Sequence, residues 1–483
     1  MSARAGADVL REGGNAVDGA VAAMLTSFVA EPLFTGLGAG GYMMVAGGSD
    51  PPVLLDFFVE APGRETGRQP AVPMLGFDVD FGAAIQTFHA GPASCGVYGV
   101  PAGICAANAR WGTWSLADLA APAAEIARRG VRLNREQAYV VELLEGLLTS
   151  SPAGEVMFRP GGHRLREGDV MRNPDLADTL ERLGMEGDAP FYRGDIADAV
   201  CDWIAAGGGS LGCADLRAYE AILREPVSVG YRGRRILSNP PPSAGGTLLA
   251  YSLSLLERAD PPPALEQVVG AMAMAQAERT PEFVDGLAHA GFLERFLEGR
   301  MGSTTHIAVL DSAGFACSVT TSIGEGSAVV VPGTGIHLNN MMGEEDLNPL
   351  GFHRHEPGRR LPSMMAPTIV MSPDAGDAGQ VELVLGSAGS NRIRSALLQT
   401  IIGVVDHGLT AAQAIRAPRV HFEDGRVYAE PGIDTGPLQR AGYTVTQFAA
   451  ANLFFGGVQA VQQRDGLISG GGDPRRGGVA VSA

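Results

Sequence analysis

Apolar and polar positions divide the chain into a long region patterned mainly for helices and a C-terminal part patterned first for strands. Ala3 to Arg11 and Ala16 to Val29 carry apolar residues at helical spacing, with Gly13-Gly14-Asn15 as the break between them. Tyr42 to Val45 and Val53 to Phe58 are short apolar runs that read as strands. Helical periodicity returns over Ser115–Arg129, Arg135–Leu148, Asp175–Leu183, Ile196–Ala206 and Ala214–Glu220. Tyr231 to Leu237 leads into the proline-rich turn Asn239–Ser243, and Gly246–Leu256 and Leu265–Ala277 are helical again. The stretch 279–303 is mostly polar, with a short helical patch at Phe292–Leu297. Thr304 to Leu310 then alternates as a strand, Asp311-Ser312-Ala313-Gly314 forms its turn, and Phe315 to Ser322 is the returning strand. Helices follow near Ser395–Val405 and Ala411–Ile415. The pattern alone gives mixed α and β structure.

Composition narrows the function. The 483 residues suffice for one large domain or two, and 45% hydrophobic content supports a large core. The net charge of −17 argues against nucleic acid or anionic membrane surfaces as partners. No run of 18 apolar residues suggests a transmembrane helix. There is no lysine, which excludes a Walker-type phosphate loop and Schiff-base lysine chemistry. Cys95, Cys105, Cys201, Cys213 and Cys317 include no C-x-x-C pair and are expected to be small buried hydrophobes, with neither a disulfide framework nor a zinc site. His353 and His355 are expected in a solvated loop, so no metal is assigned and no cofactor is called for. Gly36-x-Gly38-x-x-Gly41 matches a dinucleotide fingerprint, but a helix precedes it and a strand follows, the reverse of the required order. A tight turn at a packed crossing is expected instead.

The strongest chemical signal is Gly302-Ser303-Thr304-Thr305-His306 at the head of the hairpin. A chain cut between Ser303 and Thr304 would release a threonine whose hydroxyl is a nucleophile and whose new α-amine is a base. The surrounding strings EGGNAVDGAVAA (12–23), GLGAGGYMMV (36–45), GVPAG (99–103), FYRGDIA (191–197), NPPPSAGGT (239–247), VVPGTGIHLNN (330–340), SMMAPTIV (363–370), LGSAGSNRI (385–393) and APRVHFEDG (417–425) run in one order along the chain. In that order they resemble the γ-glutamyltranspeptidase family of N-terminal-nucleophile hydrolases.

The resemblance implies an α+β fold, a four-layer αββα sandwich built from two autoproteolytic products. Residues 1–303 would form the large-subunit region, ending in a cleavable tether at 279–303, and residues 304–483 the small-subunit region, the two together making one globular heterodimeric unit. It implies Thr304 as nucleophile, Ser322 as the hydroxyl that holds it, and an oxyanion site at Gly389 and Ser390, where the family has two adjacent glycines. It also implies an inactive precursor that matures by an N→O acyl shift at the Ser303–Thr304 bond.

At the substrate-recognition positions this chain departs from the family pattern. Phe58 stands where an arginine grips the glutamyl α-carboxylate, and Ser363-Met364 replaces paired serines. Gly324 replaces an asparagine, and Met341 and Glu344 stand for a glutamine and an aspartate. Losing a bidentate guanidinium removes the main carboxylate clamp. The expectation is therefore an amidase or acyltransferase acting on γ-glutamyl or related acyl amides, with an amine or water as acceptor and the glutamyl clamp largely lost. The alternatives are a classical glutathione γ-glutamyl hydrolase or transpeptidase that recruits Arg64 or Arg360, and an uncleaved non-catalytic ligand-binding relative. No signal peptide precedes the first helix, so the expected location is cytoplasmic as the chain stands, and periplasmic or secreted if the true start lies upstream.

Overall fold

A computed structural model describes residues 1–48, 50–80, 85–278, 305–348, 351–373 and 379–483. Ser303, Thr304 and the tether at 279–303 lie outside the described residues. The chain divides into two compact units. The first comprises Met1–Gly41, Leu55–Ile222 and Thr321–Leu361, and the second Tyr42–Leu54, Leu223–Thr320 and Pro362–Ala483. Each unit therefore draws on both sides of position 303.

The first unit is mainly helical. Helix α1 (Ser2–Arg11) and helix α2 (Ala16–Ala30) pack closely because a Cβ at Gly6 would come within 2.7 Å of the Gly19 carbonyl oxygen. Asn15 caps α2 by accepting from the Val17 and Asp18 N–H groups. The fully buried Asp18 accepts in turn from the Asn15 and Thr113 N–H groups, which explains the polar positions of the string EGGNAVDG. Helix Val100–Trp111 was not expected, because Pro101 and Gly103 lower its propensity. Gly103 is needed there, since a Cβ would lie 2.2 Å from the Phe57 ring. The single helix expected over Arg135–Leu148 breaks at Leu144, whose side chain turns into the core beside Leu147 and Leu148. At the Gly36–Gly41 turn, a Cβ on Gly38 would lie 2.3 Å from the His337 carbonyl oxygen, so this is a packed crossing as expected.

Two larger sheets draw most of their strands from the second unit. The strands of these sheets in chain order are β1 (Gly40–Ala46), β2 (Val53–Phe57), β3 (Ile222–Arg224), β4 (Val227–Tyr231), β5 (Arg234–Ser238), β6 (Thr305–Leu310), β7 (Ala316–Ser322), β8 (Thr368–Met371), β9 (Val381–Ala388), β10 (Gly457–Arg464) and β11 (Leu467–Gly472). A five-stranded sheet runs β6-β7-β1-β2-β3, and a six-stranded sheet runs β11-β10-β9-β8-β5-β4. The expected hairpin is β6–β7. Strand β6 packs on β9 and β10, so one sheet lies against the other. The opposite face of the six-stranded sheet is covered by helices Ala244–Glu257, Arg392–Val405 and Ala411–Arg416, which bury Leu249, Leu253, Leu397 and Ile401 against Leu383, Leu385 and Val458. This sheet-on-sheet, helix-backed arrangement is the α+β architecture that the sequence implied.

Two expectations are overturned. Cys201 and Cys213 form a disulfide with a Cα–Cα distance of 5.7 Å. The glycine-rich loop at 207–209 folds helix Asp195–Ala206 back onto helix Cys213–Arg217, a reversal that cysteine spacing does not display. His355 is buried rather than solvated and hydrogen-bonds the Leu347 carbonyl oxygen at 3.2 Å. A crosslink between residues twelve apart in sequence stabilises by about 3 kcal/mol in the chain-entropy account. Reduction, or Cys201→Ser, is expected to lower the first thermal transition by about 5–10 °C. Differential scanning calorimetry with and without dithiothreitol checks this, and an unchanged midpoint would contradict it.

Candidate active site

The polar residues Ser318, Thr320 and Ser322 alternate along β7 and so share one face. Ser318 donates to the Leu385 carbonyl oxygen of β9 at 3.2 Å, and Thr320 hydrogen-bonds His306 Nδ1 at 2.9 Å. His306 is buried with its ring over Gly386, where a Cβ would lie 2.2 Å away. Burial alone pushes its pKa down to about 3. Thr321 points the other way and shares a 2.7 Å hydrogen bond with the hydroxyl of Thr35. Sequence reading missed these partners, although the alternating hydroxyls of SVTTS were the visible signal for them.

Within the first unit, several expected residues come together. The Ser322 hydroxyl accepts from the Gly324 N–H at 2.7 Å, which leaves its own proton available to donate. Gly324 has φ +69°, and a Cβ there would lie 2.1 Å from both Asn340 Oδ1 and Glu344 Oε1. The space that a side chain at 324 would need is thus filled by Asn340 and Glu344. Asn340 also accepts from the Glu325 N–H and donates to the His89 carbonyl. Met341 is buried in the 3-10 turn Met341–Gly343, whereas Glu344 is partly exposed.

Phe58 is buried and offers no charge. Its carbonyl oxygen accepts from Tyr219 Oη at 2.7 Å and from Arg360 at 2.9 Å. Arg360 lies 3.4 Å from Asp56, 3.3 Å from Glu60 and 4.4 Å above the Tyr219 ring, and it donates to the Glu220 carbonyl. Arg64 pairs with Glu60 at 3.4 Å and lies 3.9 Å from Asp215. Burial pushes the Glu60 carboxyl up, against the charges of Arg360 and Arg64.

In the second unit, β9 runs directly into the turn Gly389-Ser390-Asn391 and then into helix Arg392–Val405. Gly389 has φ +120°, and a Cβ there would lie 2.8 Å from the Gly456 Cα, so only glycine fits. Ser390 sits at φ +50°, a left-handed conformation that L-residues adopt at a cost of about 1–2 kcal/mol. The expected glycine position thus keeps a glycine-like backbone while carrying a serine. The turn stands at the positive end of a 14-residue helix, where developing negative charge is favoured. Ser363 is buried and its hydroxyl accepts from the Met365 N–H at 3.0 Å, with Met364 buried beside it. No cluster of three or more potential metal ligands occurs among the described residues.

A sequence model of γ-glutamyltranspeptidase matches residues 2–298 and 289–483. The chain belongs to the γ-glutamyltranspeptidase family. The glutathione hydrolase proenzyme of Bacillus subtilis (strain 168) is 29% identical over all of this chain and 90% of its own. The acylase ACY 1 proenzyme of Pseudomonas sp. (strain SE83) is 30% identical over all of this chain and 92% of its own. The crystal structure of a cephalosporin acylase from Bacillus halodurans superposes with a TM-score of 0.81 at 25% identity, covering all of this chain and 94% of that one. The family relationship makes the chain an enzyme of the hydrolase and acyltransferase class acting on γ-glutamyl or other acyl amides. No helix among the described residues is long and apolar enough to cross a membrane.

The buried histidines generate a pH dependence. Burial pushes His306 down to about 3, and His337 and His421 down to about 4, against an ordinary value of about 6.5. Above pH 6.5 they are neutral in folded and unfolded states alike. As the pH falls below 6.5, the unfolded chain gains protons that the folded chain refuses, so stability falls. The thermal midpoint is expected to drop between pH 6.5 and 5, above the range in which ordinary carboxylates titrate. His306→Gln should make that drop shallower, and an identical slope in the variant would refute this origin.

Proposed function

We propose that this family member is a self-processing amidase or acyltransferase that uses Thr304 as nucleophile and accepts acyl groups without a glutamyl α-carboxylate. Cleavage of the Ser303–Thr304 bond frees the Thr304 α-amine, whose ordinary pKa of about 7.7–8.0 leaves part of it unprotonated at neutral pH. That amine takes the Thr304 hydroxyl proton as the oxygen attacks the substrate carbonyl. The C–N bond then breaks, the proton passes to the leaving amine, and an acyl ester remains on Thr304. Water or a second amine attacks the ester and regenerates the hydroxyl. The family resemblance gives Ser322 the part of holding the Thr304 hydroxyl, and its oxygen already accepts from Gly324, which leaves its proton to donate. Backbone N–H groups at Gly389 and Ser390 stabilise the tetrahedral oxyanion.

The observation that carries the substrate reading is the state of the arginines near Phe58. The glutamyl alternative needs Arg64 or Arg360 to replace the missing clamp. Arg360 is already held by Asp56, Glu60 and three carbonyl oxygens, and both carboxylates are buried. Turning Arg360 toward a substrate would take the paired guanidinium from the fully buried Asp56 and leave Glu60 with Arg64 alone, and breaking a buried pair typically costs about 3–5 kcal/mol. Arg64 is likewise paired with Glu60. Apolar Phe58 and Met341 at recognition positions of the family support an apolar acyl group, and Glu344 leaves a carboxylate that would suit a cation or an amide N–H. The acylases among the relatives support the same direction.

Intact mass spectrometry of the purified protein beside Thr304→Ala tests the nucleophile. Two fragments meeting at the Ser303–Thr304 bond are expected in the wild type and none in the variant, with at least a 1,000-fold loss of amide turnover. An uncleaved wild-type chain without turnover would favour a ligand-binding relative. Apolar acyl-amino compounds should be hydrolysed with kcat/KM at least tenfold above glutathione. Efficient release of glutamate from glutathione would instead restore the classical reading.

A further inference from the structure

We infer that Glu423 is a positioning residue that sets the geometry of the Gly389–Ser390 turn by holding the side chain of Asn391. The inference rests on the oxyanion role proposed for that turn and adds the group that keeps it in place. Glu423 ends the strand Val420–Glu423, which pairs antiparallel with Arg426–Ala429, so it reaches the turn from a separate hairpin. Its Oε1 accepts a hydrogen bond from the Asn391 side-chain amide. Its Oε2 lies 3.4 Å from His421 Nε2 and 3.8 Å from the Arg392 guanidinium. His421 is fixed in turn by Ser395, whose hydroxyl bonds Nδ1 at 2.8 Å. The Arg392 guanidinium rests 4.2 Å above the Phe454 ring.

These contacts tie one carboxylate to the first turn of helix Arg392–Val405. Asn391 follows directly on the left-handed Ser390. Arg392 donates its N–H to the Gly389 carbonyl oxygen at 3.0 Å, and Ile393 donates to that of Ser390 at 3.1 Å. A residue held in the left-handed region relaxes unless its surroundings over-determine it. The Asn391–Glu423 bond supplies that constraint from one side, and the approach of Gly456 to Gly389 supplies it from the other. Burial works against the Glu423 carboxylate, yet its hydrogen bond with His421 and the charges of Arg392 and Arg394 hold it below the usual carboxylate range. It is therefore ionised, and a strong acceptor, at every pH at which the enzyme would work.

A displaced turn misplaces donors that act only on the tetrahedral intermediate, so the loss should fall on kcat and not on KM. Glu423→Ala is expected to lower kcat about 30- to 100-fold, within the range for loss of one oxyanion donor or less. KM should stay within about threefold. Glu423→Gln keeps an oxygen acceptor for Asn391 and should recover kcat to within about fivefold of the wild type. Asn391→Ala removes the same bond while leaving Glu423 its arginine and histidine neighbours, and should match Glu423→Ala. The double variant should be no slower than either single one.

A purely structural role would lower the folded fraction without this split, and Glu423→Gln would not rescue it. Circular dichroism on each variant separates the two, and Asn391→Ala gives the same reading if Glu423→Ala does not fold. Unaltered kcat in folded Glu423→Ala or Asn391→Ala, or a rise in KM alone, would overturn the inference. Failure of the underlying oxyanion reading shows differently, as a folded Ser390→Pro protein, which lacks the proposed donor N–H, that keeps its kcat. A Ser390→Pro protein with depressed kcat beside an unimpaired Glu423→Ala would sink the positioning role alone.

Discussion

The arrangement of the second unit depends on one close contact, the His306 ring lying on the backbone at Gly386. No side chain fits at 386 while the imidazole is there, and the imidazole is also bonded to Thr320 on the neighbouring strand. This contact sets the register between the two sheets. On one sheet it fixes the hairpin that begins beside residue 304. On the other it fixes β9 three residues before Gly389. Under the proposed function, groups that must meet from the two sheets would need such a lock, because a shift of about 1 Å between reacting groups can slow catalysis 100-fold. A buried neutral imidazole does this well. It fills volume, makes a directional bond and carries no charge that would demand a counter-ion.

The first unit solves a different problem, that of buried charge. Asp56, Glu60 and Arg360 form a compact group closed by Tyr219 and by the carbonyls of Phe58 and Glu220. Asp215 extends it by accepting from the Gly63 and Arg64 N–H groups. The disulfide enters here, since Cys213 opens the short helix that carries Asp215. The segment around Phe58 is therefore braced by a polar network that uses up its nearby arginines.

Much of the fold was legible because its periodicities are long. The helices from Ser2 to Arg11 and Leu265 to Ala277, and the β6–β7 hairpin with its Asp-Ser-Ala-Gly turn, follow from spacing and turn chemistry alone. Helix Val100–Trp111 was hidden because Gly103 serves the Phe57 ring and not the helix, a tertiary demand that overrides propensity. Cys201 and Cys213 meet only because the intervening glycines reverse the chain. Ser322, Gly389 and Ser390 were singled out as candidates from their motifs. Their partners could not be, because Glu423 stands 32 residues from Asn391, and Arg360 stands 302 from Phe58. Short-range pattern carries no information on which distant carboxylate finds which amide.

Ser390 shows how local strain and long-range support are connected. A serine at φ +50° weakens the turn by itself, and glycine would remove that penalty. The turn holds because several buried groups converge on it. Arg419, Asp473, Arg475 and Glu430 form a buried ionic network that fixes the segment on both sides of Gly456, with Arg419 donating to the Phe455 carbonyl oxygen and Asp473 accepting from the Val458 N–H. Gly456 then packs on Gly389 with no room for a side chain. Ion pairs at such depth contribute little net stability compared with apolar packing. What they contribute here is position. Charges that cannot be left unpaired admit few alternative arrangements, so the backbone they hold has few alternatives too, and a serine can occupy a conformation that an isolated turn would abandon.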